Sequence, residues 1–382
     1  MLFSSIPGHE HLKKQLVHSA QNGRIAHTQL FIGPEGSGTL PMALAYARYL
    51  LCNNVGFENE GGNSSCNSKV ASLQHPDLHF YFPTPSGTAG SKAMSSEELY
   101  PEWRQFLYER PFGSLAEWFT HAGGDGKQGE IRATDADSIA RVIGMKSYEG
   151  GKKVLIVWRA ELMNNSTANK LLKILEEPSD DTFIILLVEN PDELLPTVRS
   201  RCQEIEFRPF SESHVADFLN ARLTLDTAKV KMLAARSQGN LSKALLLAEE
   251  NDAELEFEKW FVDWVRAAFS AKGNPGAIKS LISWSEDLAG IGRERQKRFL
   301  SFCAEMFRQA LLTNYGAGSL TYIVPEYGNF KLEKFAPFVH GGNIVGIFQE
   351  IEDAMYHIER NANAKIIFTD LSIKLTRYIH AK

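Results

Sequence analysis

The 382-residue chain reads as an α/β domain built on a parallel sheet, followed by a small helical segment and then a larger all-helical one. Three observations predict this. Apolar strand runs at Thr28–Ile32, Lys153–Val157 and Thr182–Val188 alternate with helix patterns as far as about Phe207. Beyond Pro209 apolar residues fall only at helical spacing. A glycine-rich turn, Gly33-Pro34-Glu35-Gly36-Ser37-Gly38, leaves the first strand and enters a helix, which is the setting of a phosphate loop.

Leu12, Leu16, Val17 and Ala20 line one face of a helix from Glu10 to about Asn22. After the glycine-rich turn, Pro41 sits in the first turn of a helix carrying Met42, Leu44, Tyr46, Leu50 and Leu51. The stretch from Asn53 to Lys69, rich in Asn, Gly and Ser, predicts a loop or a remnant module. Leu78 to Phe82 reads as a strand, and Tyr100 to Phe119 as two aromatic-rich amphipathic stretches. His121 to Gly129 reads as a glycine-rich turn or loop, and Thr134 with Asp137 suggests a capping box opening a helix towards Met145. Thr167 to Glu176 reads as a helix ended by Pro178. Three short helices follow around Val215, Val230 and Ala244, and then longer ones marked by Phe257, Trp260, Phe261 and Trp264, by Phe299 to Ala310, and by Ile344 to Ile379.

Composition excludes several classes. Hydrophobic residues make up 43% and charged ones 23%, which fits neither disorder nor a fibre. Lys and Arg total 41 against 46 Asp and Glu, a net charge of −5, so the chain does not live on nucleic-acid phosphates by bulk electrostatics. The first residues lack a basic, then apolar, leader, and the apolar runs are too short to span a bilayer, so a cytoplasmic protein without membrane contact is expected. Four scattered cysteines, Cys52, Cys66, Cys202 and Cys303, are expected as reduced thiols.

The phosphate loop has its glycines, Gly33, Gly36 and Gly38, but not its ionic residues. Thr39 stands where a phosphate-binding Lys belongs, and Leu40 where a hydroxyl would hold Mg²⁺. At the end of the Lys153–Val157 strand, Trp158 and Arg159 stand where metal-binding carboxylates are needed, and Glu161 alone reads as a helix-start charge. Two nucleotide elements are therefore expected to be degenerate, with no nucleotide cofactor bound.

The segment Leu194-Leu195-Pro196-Thr197-Val198-Arg199-Ser200-Arg201-Cys202 joins a helix to the strand Gln203 to Phe207. An isolated arginine is usually a solvated charge, but a pair at the edge of such a domain suits a rigid, always-charged fork reaching a neighbour's γ-phosphate. Arg201 is the expected arginine finger in trans, supported by Ser200 and Arg199.

These residues carry a resemblance. Gly23-Arg24-Ile25-Ala26-His27 ahead of Leu30-Phe31-Ile32-Gly33-Pro34, then His75-Pro76-Asp77, then Ala168 to Pro178, and Ser200-Arg201-Cys202 resemble the non-ATPase, delta-prime branch of the bacterial DNA polymerase III clamp-loader AAA+ family. The match is dense from Ile6 to Phe207 and thinner beyond. It implies an AAA+ α/β domain over residues 1–207, a helical lid over 208–250 and an oligomerising helical collar over 251–382. It implies a subunit with no ATPase activity of its own, whose Arg201 acts on ATP held by a gamma or tau subunit. The delta subunit, the sliding clamp and primer-template DNA would be further, partly indirect, partners. The rival is an autonomous P-loop ATPase such as the motor subunit, opposed by Thr39 and Trp158.

The sequence departs from the family's pattern in three places. The family's four-Cys zinc module keeps Cys52 and Cys66, while Asn67, Ser68 and Lys69 fall where thiolates belong; His75 and His79 read as structural, so no zinc is expected. The stretch 95–128 is longer than the family leads one to expect. Ser242 sits where the lid of active relatives carries a nucleotide-sensing Arg. The cluster Arg293, Arg295, Lys297 and Arg298 reads as a solvated helix side, and Trp260 and Trp264 as core, with part of that stripe available to an interface.

Overall fold

The computed structural model describes residues 1–53, 62–86, 94–124, 128–149, 151–176, 181–249, 251–322, 325 and 327–380. The chain divides into two compact units, Met1–Leu246 and Leu247–Lys382, each with its own apolar core.

In the first unit, α1 (Glu10–Gln21) leads to β1 (Thr28–Ile32), and the glycine-rich turn opens α2 (Thr39–Leu51). There follow α3 (Ser64–Ala71), β2 (Leu78–Tyr81), β3 (Thr84–Pro85), α4 (Tyr100–Glu109), α5 (Leu115–His121), β4 (Gly129–Glu130), α6 (Ala133–Gly144), β5 (Lys153–Trp158), α7 (Asn165–Glu176), β6 (Thr182–Val188), α8 (Pro196–Arg199) and β7 (Gln203–Glu206). Five strands make one parallel sheet in the order β2-β5-β6-β1-β7. Every residue of β5 and β6 is buried, which is why both read as unbroken apolar runs: helices cover both faces of a parallel sheet. The carboxyl ends of β1, β5 and β6 lie side by side, with Ile32 opposite Val188 and Trp158 opposite Leu187, at the edge where open α/β sheets bind ligands. β3 pairs antiparallel with β4, so the long insertion between them leaves and returns at one point. The unit continues with α9 (Glu212–Arg222), α10 (Thr227–Ser237) and the start of α11 (Leu241–Glu249).

The second unit is helical: α12 (Asn251–Ser270), α13 (Pro275–Ala289), α14 (Arg293–Asn314), the short α15 (Leu332–Phe335), α16 (Ile344–Glu359) and α17 (Ala364–His380). Trp264 is wholly buried, stacks on Trp284 at 5.0 Å and donates its indole N–H to Ser372 Oγ at 3.0 Å. Trp260 is half-buried beneath the Arg295 guanidinium. The tryptophan stripe is thus core, and the basic cluster is a paired helix side: Arg295 meets Glu256, and Lys297 meets Glu359 at 2.8 Å.

The structure departs from the sequence reading in specific places. The polar stretch expected as a loop contains α3, capped by the Asn63 side chain, which accepts from the N–H groups of Ser65 and Cys66. Only Cys66 and Val70 of α3 are buried, too few to show a helical period. Residues 54–61 and the expected helix stop at Pro178 lie outside the described residues. α6 opens two residues earlier than expected: the Asp135 carboxylate accepts from Arg132 N at 2.9 Å, rather than Asp137 capping Thr134. Cys52 and Cys66 are not reduced thiols but a disulfide. The reason is packing, since α3 folds back on α2, with Arg48 donating to Asn67 at 2.7 Å, and brings both sulfurs into one buried spot.

Candidate functional site

The phosphate loop is built as its glycines require. Gly36 and Gly38 adopt φ of 72° and 88°, and Gly38 caps α2 in a left-handed conformation that a side chain would strain. Gly33 N–H bonds Val188 O at 3.1 Å, fixing the loop to the end of β6. His9 reaches Ser37 O at 2.8 Å with its ring against Phe210; burial holds its pKa below the usual histidine value, so the ring is neutral there. Thr39 is half-buried and Leu40 is buried at the head of α2.

The space over this loop is filled by the chain itself. What remains is a cavity of about 30 Å³ lined by Gly38, Thr39, Phe112, Ser114, Trp158 and Glu189 among others, against roughly 300–1,000 Å³ for a typical ligand pocket. Three groups close it. From the insertion come Pro111 to Leu115. From β5 comes Trp158, buried against Trp103 at 5.0 Å, with Trp103 in turn on Phe82 at 4.3 Å and Trp118 at 5.0 Å. From the α10–α11 turn comes Asn240, whose side chain lies where a Cβ on Gly36 would collide, while Leu241 N–H donates to Gly36 O at 3.2 Å. Ser242 donates to Glu117 Oε2 at 2.7 Å, and Glu117 caps α5 reciprocally with Ser114.

Arg159 takes a left-handed backbone at φ 58° and pairs with Glu161 Oε1 at 3.0 Å and with Glu189. Glu161 does stand in the first turn of a short helical segment, Ala160–Leu162, but its side chain is not on the surface. It is buried, accepts from Glu189 N at 3.2 Å, and leaves Oε2 without a partner. Burial pushes its pKa up to about 7, with Arg159 opposing the shift.

At the sheet edge beside β7, α8 carries Arg199 on its last turn, with Ser200 and Arg201 exposed after it. Val198 and Leu194 anchor the turn in the core. Arg199 Nε donates to Glu204 Oε1 at 2.6 Å and Nη1 to Asp192 Oδ1 at 3.0 Å. Arg201 Nη1 donates to Thr197 O at 2.8 Å. Cys202 is a free thiol bonded to Val198 O, and burial pushes its pKa up to about 12. Arg199 is thus tied to two carboxylates, and the exposed Arg201 has the Thr197 carbonyl among its contacts.

A family model described as "DNA polymerase III, delta subunit" matches residues 8–211, more than half of the chain and all of the sheet. The chain belongs to that family. Relatives of this DNA polymerase III delta-subunit family member include the delta' subunit of Bacillus subtilis, 29% identical over 245 residues, covering 63% of this chain and 59% of that protein. The delta' subunit of Escherichia coli is 23% identical over 367 residues, covering 96% and 93% of the two chains. The tau subunit of Bacillus subtilis is 22% identical over 254 residues, covering 65% of this chain and 37% of the relative.

Elsewhere in this family member, His75 and Asp77 form a structural knot. Asp77 is buried and accepts from Ser147 Oγ, Tyr148 N and Glu149 N, while His75 Nδ1 accepts from Asp77 N and Nε2 faces Glu149 at 3.3 Å. His79 is half-buried, and desolvation lowers its pKa to about 4. Among the described residues no group of three or more His, Cys, Asp or Glu converges on a metal position, and no helix of them is long and apolar enough to cross a membrane. Sequence reasoning missed Glu117, Asn240 and Glu189, because each acts through a partner more than twenty residues away, at Ser242, Glu35 and Arg159.

Proposed function

We propose that this chain is a non-hydrolysing, delta-prime-type subunit of a DNA polymerase III clamp-loading complex, which presents Arg201 to ATP held by an adjacent gamma or tau subunit. The observation that carries the reading is the filled phosphate loop: about 30 Å³ remains over it, with Thr39 and Leu40 at the ionic positions and Arg159 already paired with Glu161 and Glu189. Phosphoryl transfer depends on positioning and charge neutralisation; Thr39 supplies no cation for the phosphates and Leu40 no oxygen for Mg²⁺, while the Glu161 and Glu189 carboxylates are engaged by Arg159. The exposed Arg201 supports the second half of the reading, because a trans-acting guanidinium must sit on a surface and hold a fixed fork.

On this reading the delta subunit completes the complex, the sliding clamp and primer-template DNA are indirect partners, and the complex works in the cytoplasm. The chain uses no nucleotide or zinc of its own, since Cys52 and Cys66 are consumed by each other. Titration of the purified chain with ATP should give no saturable micromolar binding, and elemental analysis far less than stoichiometric zinc. Assembly with ATPase subunits and a slower clamp-loading rate on Arg201→Ala would support the role in trans; micromolar ATP binding and turnover by the isolated chain would replace it with an autonomous ATPase.

A further inference from the structure

We propose that the cavity bounded by the α3–β2 turn, α4 and the end of α9 is a docking site for an acidic peptide segment of a partner protein, whose carboxylates meet Arg104 and Arg222 and whose apolar side chain enters the cavity. The inference draws neither on the role of Arg201 nor on the phosphate loop.

The cavity measures about 670 Å³, within the roughly 300–1,000 Å³ of a typical ligand site. Its floor is aliphatic, because Leu44, Leu73 and Leu107 line it and are themselves buried. Its rim is polar and open, with Arg104 half-buried and Gln105, Glu109 and Arg222 exposed. Tyr108 lines it too and is 84% exposed, so its ring adds apolar surface to the rim rather than to the core. So open a rim suits a small molecule poorly, since small-ligand sites cover most of their ligand's surface. A peptide can lay one side chain on the floor and run out over the rim.

Charge narrows the occupant further. Two guanidiniums line the cavity, and among the described residues neither is in an ion pair. Arg104 Nε and Nη2 donate to Ser72 O at 3.3 Å and 3.1 Å, with the Gln74 amide beside them, so neutral groups hold it in place. Arg222 lies over the Phe218 ring, its Cζ 4.3 Å from the centroid, and desolvation holds its pKa below the usual arginine value. The Glu109 carboxylate on the same rim accepts from Gln105 Nε2 at 2.9 Å and pairs with neither arginine. Uncompensated guanidinium charge beside an aliphatic floor selects an anion with an apolar body, and a carboxylate matches the guanidinium fork. A strand of phosphates would need cations in succession, whereas the exposed Glu102 and Glu109 share α4 with Arg104.

The test is fluorescence anisotropy of a fluorescein-labelled peptide of sequence GDLFDG with a capped C-terminus, titrated with the full-length chain. Saturable binding is expected with a Kd of about 10–500 μM. Arg222→Gln and Arg104→Gln should each weaken it about 10-fold, and Tyr108→Ala about 2- to 3-fold. Arg222 and Tyr108 are exposed, so their variants should keep the wild-type melting temperature. Replacing both aspartates of the peptide by asparagine, or its leucine and phenylalanine by serine, should each cost about 10-fold or more. No saturation by about 1 mM, an unchanged affinity in either arginine variant, or equal binding of the serine peptide overturns the proposal. So does tighter binding of a labelled thymidine hexanucleotide that competes with the peptide and is lost in Arg222→Gln, which would make the cavity a contact for single-stranded nucleic acid.

Discussion

The mouth of the phosphate loop and the Arg201 turn lie on the same unit of the molecule and are built on opposite plans. At the phosphate loop, side chains from three separate segments, Phe112, Trp158 and Asn240, close in on a turn whose backbone is still shaped to cradle an anion. At Arg201 the backbone is anchored from beneath by Val198 while the polar side chains face outward. A site that binds its own ligand needs empty space and converging charge. A residue that serves a neighbour needs a rigid base and an open surface. In the first unit the space over the phosphate loop is small and the Arg201 turn has a buried base with outward side chains, which is the arrangement that the proposed role in trans requires.

The sharpest way to break this contrast is at Arg201. Arg201→Ala should leave the fold and assembly intact, and should cut hydrolysis at the one neighbouring ATP site by a large factor, about 10³ or more if it behaves as GTPase fingers do. Total turnover would fall only in part, and clamp loading further; Arg201→Lys should rescue poorly because an ammonium lacks the planar fork. Wild-type turnover with Arg201→Ala would reduce the chain to a scaffold. On the filled side, Trp103→Ala removes the ring on which Trp158, Phe82 and Trp118 pack, and should cost about 3–5 kcal/mol, read as a lowered denaturation midpoint.

A smaller loss, about 1–3 kcal/mol, is expected for Glu117→Ala, which removes both the α5 cap and the acceptor of Ser242. Ser242→Ala should cost less than Glu117→Ala, and additive losses in the double variant would show that the two side chains do not act together. Acidity tests the buried carboxylate. Because the folded-state pKa of Glu161 is raised from 4.5 to about 7, the folded chain holds the extra proton, so this group's contribution to stability is greatest below pH 4.5 and is lost as pH rises through about 7. Melting temperature against pH should fall less steeply across that window in Glu161→Gln; identical slopes would contradict the assignment. The smallest effect is expected from Thr39→Lys, which should create neither ATP binding nor turnover, since Trp158, Arg159 and the filled cavity remain.

Much of the architecture was legible before any coordinates. β5 and β6 announce themselves because strands buried on both faces are largely apolar, and β1 because Leu30–Ile32 run straight into the glycine-rich turn. The helices of the second unit show because a single buried stripe repeats at helical spacing. What stayed hidden depends on distant partners. Glu117 looks like an ordinary helix-start carboxylate until Ser242, 125 residues later, is placed beside it. Glu161 looks like a plain helix-start charge until the residue after β6 delivers Glu189 N and Arg159 folds over it. α3 has too few apolar residues to show a period, and the pairing of Cys52 with Cys66 depends on that helix turning back. The ion pairs of Arg199 likewise depend on Asp192 and Glu204, which nothing in the local motif distinguishes from other surface acids.

The aromatic packing also gives the protein an optical signature. Its six tryptophans divide evenly, with Trp103, Trp118 and Trp158 in the first unit and Trp260, Trp264 and Trp284 in the second. Indole rings whose centroids lie 5.0 Å apart, as in the Trp103 pairs and in Trp264 on Trp284, couple their electronic transitions. Such coupling gives a folded-state circular dichroism band that vanishes when the rings separate. Removing the Trp264–Trp284 pair leaves the first cluster as the sole source of that band, so the closure over the phosphate loop becomes a spectroscopic observable that can be followed during melting or on mixing with ATP without attaching a probe.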